Sequence, residues 1–140
     1  MQEIKSFSYK LYKKNDEYKI VKLFQKTFQK KFNLLKWNWI FKKNPSGKNK
    51  ISLVFSKKKL VAQCASIKTN FKFDNKKKFF YRIQNFMVHK NFRYKNIATK
   101  SLKFLTSRII KNKDFIITFP NNNSIKKFLK NDFKRIFYIY

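Results

Sequence analysis

Residues 85–100 have the sequence NFMVHKNFRYKNIATK, in which an apolar run is followed by a basic turn and then by apolar residues at helical spacing. Apolar residues crowd the ten positions before His89, which is typical of a buried strand. After the basic turn, Ala98, Leu102, Leu105 and Ile109 recur at helical spacing. The stretch therefore predicts a strand, a short turn and the start of a helix. The free N–H groups and the dipole at that start favour an anion such as pyrophosphate.

Apolar periodicity on both sides of this stretch predicts the other elements. Those before it are a strand at 6–12, helices at 17–32 and 35–41, and strands at 51–55, 60–67 and 79–88. Those after it are the helix to about 111, a strand at 115–119, a helix at 124–130 and a strand at 133–140. The order β-α-α-β-β-β-α-β-α-β predicts one α/β (α+β) domain, residues 1–140, with a mixed, mainly antiparallel sheet.

Composition excludes several classes of protein. At 140 residues with 43% hydrophobic residues, the chain can bury a core and is not a disordered tail. Lysines interrupt every apolar run before it could span a bilayer, and the first residues lack a signal peptide's apolar region. Cys64, the only cysteine, forms neither an internal disulfide nor a cysteine metal cluster. A cytoplasmic protein without a metal is expected.

The net charge of +30 has two explanations. Lys and Arg total 36 against six Asp and Glu. Lys, Asn, Ile, Phe and Tyr have A/T-rich codons, so mutational bias in an A/T-rich genome accounts for much of the excess. It accounts less well for the scarcity of acidic residues. Attraction to a polyanion, whether nucleic acid, anionic lipid or a phosphorylated cofactor, therefore stays open as a partial cause.

Four segments resemble motifs of the GNAT superfamily of acyl-CoA-dependent N-acyltransferases. Residues 93–98, RYKNIA, align with the family's Arg/Gln-x-x-Gly-x-Gly/Ala loop motif. Residues 87–89, MVH, resemble the MVHP that often precedes that loop. Residues 119–124, FPNNNS, and the pair 37–39, WNW, and 44–47, NPSG, resemble a subgroup often found near polysaccharide-biosynthesis genes. The predicted order of elements matches the GNAT fold.

The resemblance implies an enzyme that transfers an acetyl or other acyl group from acyl-CoA to a small-molecule amine, such as an amino sugar. The co-substrate is acetyl-CoA or a related acyl-CoA. The backbone near Met87 and Val88 would polarise the thioester carbonyl, and residues 95–99, with the Arg93 and Lys95 charges, would hold the pyrophosphate. The full set of implied cofactor-binding residues is Met87, Val88, Arg93, Tyr94, Lys95, Asn96, Ile97, Ala98, Thr99 and Asn121.

The sequence departs from the family pattern at several positions. Asn96, Tyr94 and Asp132 stand where the family has glycine, and Phe128 stands where many members have a proton-donating tyrosine. Asparagine is the least costly replacement in a left-handed backbone conformation, so Asn96 is a tolerable substitute. The chain ends after the sixth predicted strand, where the family usually has a seventh. A catalytically decayed domain that binds CoA or a protein partner is therefore an alternative.

The sequence does not identify a catalytic acid or a catalytic base. None of the carboxylates beyond residue 17 (Asp74, Asp114 and Asp132) stands on the central strand, and Gln84 cannot act as a base. His89 and Cys64 are interpreted as structural residues. Trp37 and Trp39, two positions apart on a helix, predict one core side chain and one near a site.

Two further expectations concern partners. An exposed sheet edge is an association risk, so a second copy of the chain or its own termini is expected to cover it. A basic nucleic-acid-binding protein is favoured only by charge, because arginine is scarce and no nucleic-acid-binding motif is present.

Overall fold

The computed structural model describes residues 6–93, 96–111 and 114–136, and its centre is a five-stranded sheet in the order β1-β2-β3-β4-β5. The first four strands are antiparallel to their neighbours, whereas β5 is parallel to β4. This confirms the mixed, mainly antiparallel sheet predicted from the sequence. The strands are β1 (Phe7–Leu11), β2 (Lys50–Ser56), β3 (Lys59–Phe73), β4 (Lys76–Val88) and β5 (Phe115–Thr118).

Helices cover both faces of this sheet. On one face α1 and α2 enclose a core that includes Trp37, Leu53 and Met87. On the other face α3 covers apolar residues of β2, β3 and β4, and Phe128 of α4 joins the same core. The helices are α1 (Glu17–Phe28), α2 (Leu34–Trp37), α3 (Ile97–Ile110) and α4 (Ile125–Lys130), with a π-helical turn at Asn38–Lys42.

Several element boundaries differ from the sequence-based prediction. The helix predicted at 35–41 is α-helical only over Leu34–Trp37 and continues as the π-helical turn. Helix α1 ends at Phe28 rather than at residue 32, because Gln29 adopts a left-handed conformation with φ 51°. Strands β3 and β4 extend to Phe73 and Lys76, so the lysines at 76–78 belong to a strand rather than to a turn. Asp74 and Asn75 both have positive φ, which is the two-residue turn that matches strand twist.

The predicted last strand, 133–140, is wrong over its first half. Residues 133–136 form no strand, and 137–140 lie outside the described residues. Strand β5 therefore forms one edge of the described sheet, opposite β1. Coverage of an edge by a second copy stays a prediction. Among the described residues, no helix has the length and apolar character needed to cross a membrane.

Left-handed backbone conformations in this chain depend largely on asparagine and aspartate. Eight described non-glycine residues have positive φ, and six of them are Asn or Asp. These six are Asn15, Asp74, Asn75, Asn85, Asn96 and Asp132. Short polar side chains that hydrogen-bond locally make this conformation less costly than it is for other residues.

Candidate functional site

Strands β4 and β5 separate partway along the sheet. Their pairing runs from Phe80 opposite Phe115 to Ile83 opposite Thr118 and then stops, while β4 continues to Val88. Pro120, which lacks an N–H group, follows two residues after the end of β5. The last residues of β4 therefore have no strand neighbour on that side among the residues that the structure describes.

A cavity of about 390 Å³ occupies the separation between the two strands. Phe24 and Phe28 of α1 form part of its wall from one face of the sheet, and Phe128 of α4 lines it from the other. Gln84, Asn85 and Phe86 of β4 also line the cavity. The opening is therefore lined by side chains from both faces of the sheet.

The part of β4 beside the cavity contains a β-bulge. Gln63 lies opposite Met87 and Ala65 lies opposite Gln84, so two steps along β3 match three steps along β4. Asn85 is in the left-handed conformation, with φ 50°. An extra residue in one strand of an antiparallel pair bends that strand and re-aims the groups after it.

The alternation of hydrogen bonds places the Val88 amide on the cavity side of β4. The His89 N–H donates to the Val61 carbonyl at 2.7 Å, so residue 89 bonds toward β3. Neighbouring residues in an antiparallel strand bond in opposite directions, which turns the N–H and C=O of Val88 away from β3. The Val88 carbonyl accepts a hydrogen bond from Arg93 Nε at 3.1 Å. The Val88 side chain is 8% exposed, and Met87, at 2% exposed, packs in the core beneath α1.

A short turn carries the chain from β4 to α3. Residues Lys90–Phe92 form one 3₁₀ turn, and Tyr94 and Lys95 lie outside the described residues. Asn96, directly before α3, has φ 53° and ψ 18°. This confirms that asparagine supplies here the left-handed conformation for which the family uses glycine.

The first turn of α3 leaves N–H groups available. Lys100 N–H is the first to bond back to the residue before the helix, Asn96, at 3.1 Å. The N–H groups of Ile97, Ala98 and Thr99 therefore lack partners within the helix, and the Asn96 side chain makes no capping hydrogen bond. Ile97 and Ala98 pack into the core, so these N–H groups are fixed in place by buried side chains.

Replacing Asn96 with valine is expected to lower the free energy of unfolding by about 1–2 kcal/mol, because a β-branched residue is strained at positive φ. Asn96→Gly should leave stability close to that of the parent. Urea denaturation measures both. Asn91→Val, in the preceding turn, is the matched control and should change stability by less than about 0.5 kcal/mol. Equal losses for the two valine variants would contradict the role of the left-handed conformation.

His89 is a structural residue, as predicted. Its Nδ1 accepts a hydrogen bond from the Asn91 N–H at 3.2 Å, and its ring packs edge-to-face on Phe92 with centroids 5.6 Å apart. Burial, followed by the charges of Lys59, Lys26, Lys90 and Arg93, lowers the pKa of His89. The imidazole is therefore neutral at neutral pH and holds the turn after β4.

Asn121, the last predicted cofactor-binding residue, lies at the edge of the cavity. Its side-chain oxygen accepts hydrogen bonds from the N–H groups of Asn123 and Ser124 and from the Ser124 hydroxyl, at 3.0–3.1 Å. Asn121 therefore holds the loop that leads into α4. Asn121 lines the opening between β4 and β5, and α3 begins after the turn that follows Val88, the last residue of β4.

The burial of Cys64, Trp37 and Trp39 can be compared with the predictions made from the sequence. Cys64 is fully buried, and burial raises the pKa of its thiol, so it is a core residue as predicted. Trp37 is 1% exposed and packs against Tyr12 and Phe41, whereas Trp39 is 72% exposed. One tryptophan is thus in the core as expected.

Two residues that line the opening, Phe24 and Phe28, and Gln63, which donates to the Asn85 carbonyl, were not predicted from the sequence as parts of the site. The only sequence signal for the bulge is Asn85, a residue that tolerates positive φ within an apolar strand.

Solved acetyltransferase structures share this fold. Glucosamine-6-phosphate N-acetyltransferase from Arabidopsis thaliana superposes with a TM-score of 0.75 over 96% of each chain at 15% identity. A predicted acetyltransferase with acetyl-CoA from Clostridium acetobutylicum gives a TM-score of 0.74 over 94% of this chain and 92% of its own, also at 15% identity. An acetyltransferase from Trypanosoma brucei gives a TM-score of 0.77 over 96% and 97% of the two chains at 11% identity.

The chain therefore has the fold of the GNAT superfamily. No family model matches the sequence, and none of the curated proteins compared with it matches. At these identities the likeness is one of fold.

Proposed function

We propose that residues 1–140 form a single-domain N-acyltransferase that moves an acetyl group from acetyl-CoA to an amine. The observation that carries this proposal is the opening between β4 and β5. There, after a bulge, the Val88 N–H faces away from β3, on the side of β4 where the cavity lies, and the N–H groups without partners within α3 follow the next turn. A thioester carbonyl and a pyrophosphate need donors of these two kinds.

In the proposed reaction, the neutral amine nitrogen attacks the thioester carbon, the C–S bond breaks and CoA leaves as a thiolate. The nitrogen loses a proton to solvent, and the thiolate takes one from solvent. The Val88 N–H stabilises the negative charge that develops on the carbonyl oxygen. Ile97, Ala98 and Thr99 hold the pyrophosphate through their N–H groups, with Arg93 at the same turn. Positioning of the two reactants in one opening supplies much of the acceleration.

The acceptor side of the opening fits a small amine that carries negative charge. Phe24 and Phe28 supply apolar walls, and Lys30 is the only charged residue among the described residues that line the cavity. A phosphorylated amino sugar has both an amine and an anionic group, and one structural neighbour is a glucosamine-6-phosphate N-acetyltransferase. We therefore choose glucosamine 6-phosphate as the first acceptor to test.

A CoA-binding module without catalysis is the second candidate, and a specific observation favours it. None of the described residues that line the cavity is Asp, Glu or His, and Phe128 stands where the family's tyrosine would donate a proton. Proton transfer would then depend on solvent.

Calorimetric titration with acetyl-CoA tests the proposal, with ATP as the control ligand and with low- and high-salt buffers. We expect saturable micromolar binding that survives high salt and exceeds ATP binding. Release of CoA thiol in the presence of glucosamine 6-phosphate would then establish transfer. Acetyl-CoA binding without thiol release for any amine tested would favour the module. Binding that ATP matches, or that disappears at high salt, would contradict a CoA site and favour non-specific attraction of polyanions.

If the chain is an active enzyme, Phe128→Tyr should raise the rate of thiol release at saturating substrates by about tenfold or more, because a phenol at this position can protonate the leaving thiolate. Phe128 lines the cavity and is 4% exposed. The matched control is Phe133→Tyr, since Phe133 packs on the Phe128 ring but does not line the cavity. An unchanged rate for Phe128→Tyr would show that protonation of the thiolate is not limiting.

A further inference from the structure

Gln63 is a fully buried amide in an apolar part of the sheet. It lies on β3, directly opposite Leu53 on β2 and Met87 on β4, and has no exposed surface. Leu53 and Met87 both belong to the core beneath α1. Residues directly opposite one another in a sheet point to the same face, so the Gln63 side chain enters the same core.

Only one of the two polar atoms of this side chain has a hydrogen-bond partner among the described residues. Its Nε2 donates to the carbonyl of Asn85 at 3.0 Å, whereas its Oε1 is buried without a hydrogen-bond partner among the described residues. A buried amide oxygen without a partner costs free energy that leucine at this position would avoid. The contact that the amide does make is with the left-handed residue of the β4 bulge.

The bulge decides which way the following amides point. Because the side-chain and hydrogen-bonding directions of a strand alternate, one residue more or fewer reverses every group beyond that point. Without the extra residue at Asn85, the regular pairing of Ala65 with Gln84 would continue, and Val88 would lie opposite Val61, in the place that His89 has now. Its N–H would then bond to β3 instead of facing the side of β4 on which the cavity lies.

We propose that Gln63 is a positioning residue, which holds the β4 bulge through Asn85 and thereby directs the Val88 N–H at the thioester carbonyl of acetyl-CoA. This inference rests on the proposed acyl-CoA site and adds to it a residue that does not line the cavity. Gln63 acts through Asn85 and Val88 and touches neither substrate.

The test compares two ligands that differ in the thioester. Acetyl-CoA presents a carbonyl to Val88, whereas free CoA does not. Calorimetry on the full chain should show that Gln63→Leu weakens acetyl-CoA binding about fivefold, as expected for one lost hydrogen bond, with unchanged affinity for CoA. The carbonyl resonance of bound acetyl-CoA labelled with ¹³C at that carbon should move toward its position in free solution, because the polarising donor is lost.

Ser66→Ala is the matched control on the same strand. Ser66 is also fully buried, and its hydroxyl donates to the Lys50 carbonyl at 2.7 Å, on β2 rather than β4. This variant should lose stability without changing the preference for acetyl-CoA over CoA. A thermal melt of both variants separates stability from ligand preference.

The outcomes distinguish the two proposals. Suppose that the parent protein binds both ligands, and that Gln63→Leu weakens the binding of both equally or changes the binding of neither. The role of Gln63 in positioning Val88 is then wrong, while the CoA site stands. If the parent protein binds neither ligand, the proposed function fails and the inference fails with it. A selective loss of acetyl-CoA affinity, with the expected shift of the carbonyl resonance, supports both.

Discussion

Replacing Thr99 with glutamate is expected to weaken acetyl-CoA binding by about 100-fold or more. Thr99 is the third residue of α3, and its N–H has no partner within that helix. A carboxylate here would lie close to the position proposed for the pyrophosphate. Two like charges about 4 Å apart near a protein surface repel by roughly 4 kcal/mol, which exceeds the energy of a 100-fold change in affinity.

The same substitution should leave the fold intact. An acidic residue in the first turn of a helix interacts favourably with the helix dipole, and glutamate at the third position can accept hydrogen bonds from the free N–H groups. The expected result is therefore a folded protein that does not bind acetyl-CoA. Calorimetry measures the affinity, and a urea titration measures the stability.

Two control variants isolate the charge at this position. Thr99→Gln introduces a side chain of nearly the same size as glutamate but without its charge. It should weaken acetyl-CoA binding by less than about fivefold. Thr106→Glu makes the same change of charge two turns further along α3 and should bind acetyl-CoA as the parent protein does. If Thr99→Glu binds acetyl-CoA as well as Thr106→Glu does, the pyrophosphate does not lie at the start of α3.

Glu17→Gln is expected to lower the free energy of unfolding by about 2–3 kcal/mol at pH 7. Glu17 is 5% exposed at the start of α1. One of its oxygens accepts from Lys42 Nζ at 2.7 Å and the other from the Tyr12 hydroxyl at 2.8 Å. The carboxylate thus joins the segment after β1, the start of α1 and the π-helical turn. Glutamine keeps the shape of the side chain but removes the negative charge that pairs with Lys42.

The pH dependence of this loss follows from the pKa of Glu17. Burial alone would raise that pKa, but the hydrogen bonds from Lys42 and Tyr12 outweigh burial and lower it from 4.5 to about 2. A carboxyl with a lowered pKa stabilises the folded state fully above its unfolded value and loses this contribution as the pH falls toward the folded value. The difference between Glu17→Gln and the parent protein should therefore be constant above about pH 5 and shrink between 4.5 and 2.

Urea denaturation at a series of pH values measures this difference. Asp74→Asn is the control, because Asp74 is an exposed carboxyl at positive φ and asparagine adopts the same conformation. It should change stability by less than about 0.5 kcal/mol at every pH. A pH-independent difference for Glu17→Gln would show that packing, rather than the ion pair with Lys42, accounts for the loss.

The parts of the fold that could be predicted from the sequence are those that depend on local pattern. The apolar spacing of Ala98, Leu102, Leu105 and Ile109 predicted the buried face of α3, and all four are buried. The end of α1 was misplaced because Phe32 continues the helical spacing. In the structure Phe32 reaches the core from a loop, where its ring packs on Phe24. Periodicity cannot separate those two ways of burying a side chain.

The site was predicted only where a motif marks it. Asn96 was identified because the resemblance calls for glycine at its position, and its conformation confirms the substitution. The β4 bulge was not predicted, because it depends on a pairing between strands and on Gln63, 22 residues away in sequence from Asn85. The extent of the β3–β4 hairpin was underestimated because lysines at 76–78 are typical of turns.

The use of asparagine and aspartate for left-handed positions has an evolutionary consequence. A chain with a single glycine keeps an acetyltransferase-like backbone, since Asn and Asp occupy six of the eight left-handed non-glycine positions that the structure describes. The glycines of a motif can thus be replaced by asparagine or aspartate while the path of the main chain is retained. Detection of distant relatives should therefore compare permitted backbone conformations, with asparagine scored as a partial equivalent of glycine, rather than residue identities alone.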